Sequence, residues 1–261
     1  MNKLLRSLPS SVFFIFIFLI NSTSSFAQFV YEPVESEIYN FLERLYLNDV
    51  IEYHSEIKPV SRGEIAGYLV EASRSRSKLT HLDEQEMKFY FEEFADEISL
   101  VSDTLQFKLP RLEFFTTGET NRFRVFNYRD SSFSFYFDPI LGYRYSNISG
   151  SQVTHRWNGL EMYGYYAGNW GFDLSFKDNL ETGDNIDRRK YLTPVPGVVI
   201  TKEDKNSYQY DDVRASVNFG WDTGILSLGK DYINYGSGQV GQIILSDKAP
   251  GQRPFRMNLS R

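Results

Sequence analysis

The chain contains 261 residues, no cysteine and a net charge of −6, and aromatic residues make up 16% of it. Its mean hydropathy of −0.39 argues against several helical membrane spans, because each span needs about 20 mostly apolar residues. The acidic balance argues against nucleic acid as a partner, since that needs clustered Lys and Arg, and the lack of Cys excludes disulfides and thiolate metal sites.

Residues 1–27 have the three-part pattern of a secretory signal peptide. Lys3 and Arg6 give a basic start, an apolar run covers 12–20, and small residues precede a predicted cleavage site after Ala27. The apolar run is too short to cross a hydrocarbon core about 30 Å thick. We therefore predict that the protein is exported.

Residues 28–105 are predicted to form a small three-helix module. Apolar residues recur at helical spacing in 36–47 and again behind two possible capping boxes, which begin at Ser61 and Thr80. Each predicted helix has one apolar face, and such faces must pack on each other or on a neighbouring surface.

The region 106–261 is predicted to be β-structure, because from about residue 119 the apolar period changes from helical to alternating. The clearest example is 170–177, where Trp, Phe and Leu alternate with Gly, Asp, Ser and Lys. About eight strands with one apolar and one polar face can be traced in this way. The last begins near Arg253 and stops at Arg261, so we expect only the first part of a larger sheet.

Short and long connections alternate between the predicted strands. Tight turns are expected at 129–132, 168–169 and 222–224, and longer polar links at 146–156 and 179–211. Outer-membrane barrels have short periplasmic turns and long external loops. The fold is therefore predicted to be mainly β: an antiparallel transmembrane β-barrel, incomplete in this chain. A soluble β-sandwich also has alternating strands and stays an alternative.

Three tryptophans test this prediction further. Trp170 and Trp221 flank short turns on the apolar face, where a barrel carries an aromatic girdle facing lipid. Trp157 falls on the polar face, near the outer end of its predicted strand. It could stack on a sugar ring, or it could simply pack inside the barrel.

The candidate polysaccharide ligands are Trp157 and a cluster in the long predicted loop, Arg188, Arg189, Lys190 and Tyr191. The cationic side chains of this cluster could contact an acidic polysaccharide. The alternative is an ordinary solvated loop, which is common for a run of charges.

Two other patterns do not predict chemistry. The G-x-G-x-x-G motif at 236–241 lacks the following helix and the acidic residue that a nucleotide site needs. His54, His81 and His155 have no metal-ligand spacing, and no Ser–His pair is placed for a barrel hydrolase. We therefore predict no catalytic residues, no cofactor and no metal.

Several short motifs follow one another in a set order. The first are Ile38-Tyr39, Leu42-Glu43-Arg44-Leu45 and Lys58-Pro59-Val60-Ser61-Arg62, and the strands add 158–164 and 176–179. The most specific is the segment 229–250, with Tyr235-Gly236-Ser237-Gly238 and Leu245-Ser246-Asp247-Lys248-Ala249-Pro250. This order resembles the N-terminal part of Wzi-type capsule assembly proteins, particularly the Bacteroidetes-like members. Tyr235 and Lys248 depart from the family pattern, which has W-G-x-G and L-S-D-N-A-P.

The resemblance implies a helical periplasmic module followed by a large barrel in the cell outer membrane. It also implies a lectin-like, non-enzymatic role, in which capsular or exopolysaccharide is held at the cell surface. Expected partners are that polysaccharide and outer-membrane lipid. The alternatives are an outer-membrane porin or substrate-specific channel and, as a third possibility, a soluble periplasmic β-sandwich that binds a ligand.

Overall fold

The structure is a computed structural model that describes residues 29–54, 56–101, 111–117, 123–148, 150–184, 186–188, 199–221, 223–236 and 251–259. The predicted signal peptide lies outside these residues. So do most of the glycine-rich motif at 236–241 and the candidate ligands Arg189, Lys190 and Tyr191.

The helical module contains four α-helices among the described residues: α1 (Ile38–Leu47), α2 (Arg62–Arg74), α3 (His81–Glu93) and α4 (Ala95–Val101). The prediction of three helices is wrong because its last helix is broken at Phe94, whose φ of −105° and ψ of 22° end α3. The Phe94 side chain is buried. The predicted apolar stripes meet in one core, made chiefly by Ile38, Phe41, Leu42, Leu45, Ile65, Leu69, Ala72, Met87 and Phe94.

The two predicted capping boxes differ. At the start of α3 the box is complete, because Thr80 accepts a hydrogen bond from the Asp83 amide and Asp83 accepts one from the Thr80 amide. At the start of α2, Ser61 accepts a hydrogen bond from the Glu64 amide, but the Glu64 carboxylate accepts one from the Tyr68 hydroxyl instead. Both helices still gain a side-chain partner for an amide that the helix leaves unpaired.

Nine strands form one antiparallel sheet in the described residues. They are β2 (Arg111–Thr117), β3 (Phe123–Arg129), β4 (Phe133–Ile148), β5 (Ser151–Tyr166), β6 (Trp170–Gly183), β7 (Val199–Asp204), β8 (Ser207–Trp221), β9 (Gly224–Lys230) and β11 (Phe255–Leu259). The order is β11-β9-β8-β6-β5-β4-β3-β2, and β7 also pairs with β8. The short strands β1 (Ile57–Lys58) and β10 (Asn234–Tyr235) pair separately.

The predicted barrel is not closed among the described residues, since β2 and β11 form the two edges of an open sheet. The structure therefore shows a mainly β protein with an antiparallel sheet and a helical module. No helix in the described part of the chain is long and apolar enough to cross a membrane.

The predicted long link at 146–156 is wrong. β4 and β5 remain paired as far as Ile148 and Ser151, so only two residues of sequence separate the paired ends of the two strands. Part of the predicted link at 179–211 is also strand, because β6 runs to Gly183 and β7 and β8 begin within it. Polar residues on both faces of these strand ends hide the alternation on which the prediction depended.

The two faces of the sheet differ in polarity. One face carries exposed apolar side chains, namely Leu112, Phe114, Leu141, Tyr143, Tyr145, Tyr166, Trp170, Val217, Leu228, Phe255, Met257 and Leu259. The other face carries buried polar and tyrosine side chains, namely Ser134, Tyr136, Tyr163, Tyr165, Ser175, Asn179, Glu181, Tyr208, Tyr210, Asp212, Arg214 and Asn218. Successive residues of a strand point to opposite faces, which explains the separation.

The Asp83 cap gives a prediction about pH and stability. Burial would raise the pKa of Asp83, but hydrogen bonds from Thr80 and Arg44 outweigh burial and lower the pKa below its usual value. Since the folded-state pKa lies below the unfolded-state pKa, the carboxylate stabilises the fold above the unfolded-state pKa. That contribution is lost as the pH falls through the folded-state pKa.

We expect Asp83→Asn to lower the free energy of unfolding by about 1–2 kcal/mol at neutral pH. The difference from the parent protein should shrink as the pH is lowered toward about 3. Urea unfolding, followed by circular dichroism, measures the free-energy difference at neutral pH and its decrease at low pH. Glu84→Gln, an exposed change in the same helical turn, is the control and should have little effect. An equal loss for both variants would contradict the role given to the cap.

Candidate functional site

The polar face of the sheet is covered by the helical module and by the N-terminal segment 29–31. Phe29 lies directly on Gly220 of β8, where a Cβ atom would be only 1.6 Å from the Phe29 ring. Val30 is buried against Tyr136, Tyr163 and Tyr165 of the sheet. Glycine is therefore required at position 220 for this close approach.

Arg62, the first residue of α2, joins the helical module to the sheet. Its Nε donates to Glu97 at 2.6 Å, and its Nη1 donates to Glu32 at 2.7 Å. Its Nη2 donates to the main-chain oxygen of Glu93 at 3.0 Å. All three partners are distant in sequence, so this one side chain holds the N-terminal segment and the α3–α4 junction together.

The Arg62 guanidinium also lies close to two aromatic rings. Its Cζ atom is 4.2 Å from the centre of the Phe94 ring and 4.7 Å from that of Tyr163 on β5. Tyr165, two residues further along β5, donates a hydrogen bond of 2.8 Å to Glu97. We call Arg62, Glu32, Glu97, Phe94, Tyr163 and Tyr165 the Arg62 network.

The carboxylates around Arg62 keep its guanidinium charged although it is buried. Burial would lower the pKa of Arg62, but Glu97 and Glu32, together with nearby tyrosines, raise it well above its usual value. Burial raises the pKa of Glu32, and the adjacent Arg62 reduces this rise without cancelling it. The guanidinium is therefore a permanent charge, and its position is fixed by hydrogen bonds and by both rings.

A second arginine, Arg124 on β3, extends the connection. It donates to Asp138 at 3.1 Å, to Glu93 at 3.2 Å and to the Tyr163 hydroxyl at 3.0 Å. Glu93 belongs to α3, so Arg124 ties the helical module to three adjacent strands. A small cavity of about 60 Å³ lies beside Arg62 and Arg124.

An open cleft of about 540 Å³ lies beside the Arg62 network, between the helical module and the sheet. Three structural units line it: the segment 32–38, the C-terminal end of α3, and strands β4, β5, β6 and β8. Its aromatic walls include Phe89, Tyr90 and Trp157. Its charged residues on the sheet are Glu161, Lys177 and Arg214.

Trp157, the candidate ligand residue on the polar face, lies in this cleft. The indole lies across Gly142 of β4, where a Cβ atom would be 1.9 Å from the ring. The His155 ring is 4.7 Å away, centre to centre. Because β5 extends back to Ser151, Trp157 is in the middle of its strand, not near the outer end as predicted.

Arg188, the other candidate ligand residue that the structure describes, forms hydrogen bonds within the protein. Its Nη1 donates to Glu203 at 2.6 Å, and its Nη2 donates to the main-chain oxygens of Asp204 and Lys205. These contacts attach it to the turn between β7 and β8. Arg188 is not among the residues that line the cleft, so the structure does not join it with Trp157 in one site.

Arg214 on β8 lines both the cleft and the small cavity. It is only 6% exposed, and its Nε has no hydrogen-bond partner among the described residues. Its nearest ion-pair partner is Glu161, at 3.9 Å. Lys177, by contrast, is 3.1 Å from Asp212 and 3.5 Å from Glu35.

Sequence reasoning missed Arg62, Lys177 and Arg214. Lys177 and Arg214 carried a usable signal, since both fall on the polar side of their alternating strands. Arg62 ends the motif Lys58-Pro59-Val60-Ser61-Arg62, but nothing local showed that its partners lie about 30 residues away. No group of three His, Cys, Asp or Glu in the described part of the chain has a metal-binding arrangement.

Comparisons of the chain with protein-family models, with curated proteins and with solved structures found no match. The resemblance to Wzi-type proteins therefore rests on the sequence motifs alone. The structure defines a protein with an antiparallel β-sheet, and a helical module covers the polar face of that sheet. A cleft lined by aromatic and charged residues lies between the helical module and the sheet.

The Arg62 network predicts a large effect of one substitution. Arg62→Met should lower the free energy of unfolding by about 3–5 kcal/mol, because it leaves buried carboxylates without their partner. Arg188→Met removes contacts at a partly exposed site and should cost about 0–1 kcal/mol. Guanidinium unfolding of the full chain compares the two variants. Similar losses for both would show that Arg62 is not the main link.

Proposed function

We propose that this protein is an outer-membrane β-barrel protein that binds or organises capsular or exopolysaccharide at the cell surface. In this proposal the described sheet is part of the barrel wall, and the helical module lies on the periplasmic side. No catalytic step is involved. The observation that carries the proposal is the distribution of polarity over the two faces of the sheet.

This distribution is the reverse of what water favours. Leu141 is 78% exposed and Val217 is 52% exposed, while Arg214 on the opposite face is buried. Soluble proteins rarely leave a contiguous apolar surface of this extent uncovered. A barrel wall in lipid has this polarity, with an apolar band outside and polar residues within.

The height of the apolar band supports a membrane setting. On β8 the outward apolar residues run from Val213 to Trp221. At about 3.3 Å per residue and a tilt of about 40°, this interval spans roughly 20 Å along the membrane normal, close to the apolar band of about 25 Å in known barrels. Outward-facing Asp178 and Asp211, which pair across β6 and β8, mark where the band ends.

Aromatic side chains gather at the end of the sheet that carries the predicted periplasmic turns. Tyr166 and Trp170 flank the turn between β5 and β6, and both are exposed. Trp221 ends β8 and donates a hydrogen bond from Nε1 to Thr223 in the next turn. Rings with one polar atom favour the boundary between hydrocarbon and head groups, so this rim fits an aromatic girdle.

The covered polar face favours binding over conduction. An open channel needs an unobstructed polar lumen, whereas here the N-terminal segment and the helical module lie against that face. The cleft offers aromatic and hydrogen-bonding groups, which suit sugars. A repeating polymer can be retained by several weak contacts, because each bound unit raises the effective concentration of the next.

The membrane part of the proposal can be tested on the exposed face. Val217→Arg should reduce folding into phospholipid vesicles, because Arg near the bilayer midplane costs about 2–4 kcal/mol. Leu82→Arg is the matched control, since Leu82 is 55% exposed and lies on α3. The fraction of protein that folds and becomes protease-resistant in vesicles is measured for both. Equal folding of the two variants would point to a soluble β-sandwich.

The polysaccharide part needs a cellular experiment. Deleting the gene in its native host should release most of the cell-associated polysaccharide into the medium, and a plasmid copy should restore it. Polysaccharide is assayed in washed cells and in supernatant. Unchanged cell-associated polysaccharide, combined with steady ion conductance of the purified protein in planar bilayers, would favour the porin alternative.

A further inference from the structure

We infer that the cleft between the helical module and the sheet binds a short segment of an uncharged oligosaccharide. This places a sugar site on the polar face of the sheet rather than in the loops beyond it. The choice of a sugar as ligand rests on the proposed function, whereas the location and the charge preference rest on the cleft itself.

The size and walls of the cleft suit such a ligand. Its volume of about 540 Å³ lies within the range of about 300–1,000 Å³ that is typical of small-molecule sites. Phe89 and Tyr90 contribute rings from α3, and Trp157 contributes a ring from β5. Aromatic rings provide flat apolar surfaces on which the C–H faces of a pyranose can pack.

Arg214 supplies the polar anchor. It is buried and lines the cleft, and its Nε, one of the nitrogens that carry the five N–H donors of the guanidinium, has no hydrogen-bond partner among the described residues. A buried donor without an acceptor costs about 1–3 kcal/mol, so a bound acceptor there is favourable. Sugar hydroxyl and ring oxygens are acceptors, and the nearby Glu161 carboxylate can accept from the same hydroxyls.

The charge balance of the cleft argues against an acidic sugar. Glu32 and Glu93 are paired with Arg62 and Arg124. The remaining charged residues of the lining are the acids Glu35, Glu37 and Glu161 and the bases Lys177 and Arg214. Lys177 is also close to Asp212. A uronate would therefore meet a surplus of negative charge, whereas an uncharged sugar would not.

Titration calorimetry of the full chain tests the inference, in an amine-oxide detergent that carries no sugar head group. The probes are cellobiose, di-N-acetylchitobiose and digalacturonic acid, which are of similar size and differ in charge. We expect at least one uncharged disaccharide to bind, and digalacturonic acid to bind at least tenfold more weakly. No binding of either uncharged disaccharide at about 10 mM would overturn the inference, and so would tighter binding of digalacturonic acid.

Disaccharide binding by variants with substitutions inside and outside the cleft tests where the sugar binds. Trp157→Ala and Arg214→Met should each weaken binding at least tenfold, while Arg188→Met should leave it unchanged. Because Arg214→Met could also disturb folding, Phe89→Ala provides a second comparison: Phe89 is 38% exposed and lines the cleft. It should weaken binding severalfold, whereas Leu82→Ala on the same helix should not. Binding that survives in Trp157→Ala, Arg214→Met and Phe89→Ala would overturn the location.

The result of the disaccharide-binding experiment can be distinguished from the result of the deletion experiment that tests the proposed function. If the deletion strain loses its polysaccharide and no disaccharide binds, the cleft site is wrong and the proposed function stands. If a disaccharide binds in the cleft and the deletion strain keeps its polysaccharide, the site stands and the proposed role at the cell surface is wrong.

Discussion

The position of the helical module depends on burying the positive charge of Arg62. Moving such a charge out of water costs several kcal/mol unless hydrogen bonds and opposite charges replace the water. Glu32, Glu97 and a main-chain oxygen provide that replacement, and the rings of Phe94 and Tyr163 lie close to the guanidinium. These partners come from the N-terminal segment, the α3–α4 junction and β5, so the charge is tolerated only when all three are in place. The geometry of the adjacent cleft follows from the same requirement.

The two faces of the sheet also require different surroundings. Its polar face forms hydrogen bonds between strands, such as Ser216 to Asp173 and Tyr210 to Glu181, and the helical module shields it further. The opposite face presents aromatic and aliphatic side chains that have no such cover among the described residues. In the proposed barrel, hydrocarbon would surround the apolar face and the hydrogen-bonded polar face would form the interior, so that both faces would be satisfied at once.

The sequence allowed the mainly β class of the fold to be predicted, and also the face of the residues in the strands where alternation was clear, because both depend on local periodicity. The alternation around Trp170 and the helical stripe around Phe41 are examples. The extent of β4 and β5 was not predictable in this way, since polar Asn147 and Gln152 lie on the otherwise apolar face and apolar Ile148 and Val153 lie on the polar one. The break at Phe94 and the Arg62 network depend on tertiary contacts between distant residues, and single-residue patterns carry no information about those.

The two regions considered for polysaccharide contact differ in the hydrogen-bonding capacity that remains free. In the loop region, Arg188 already donates to Glu203 and to two main-chain oxygens. In the cleft, the Arg214 Nε has no hydrogen-bond partner among the described residues, and the lining also includes an indole ring and carboxylates. A ligand gains most where its groups replace missing partners rather than compete with existing ones. Among the described residues, the expected contact therefore lies in the cleft and not at Arg188, and the expected ligand is an uncharged sugar and not an acidic one.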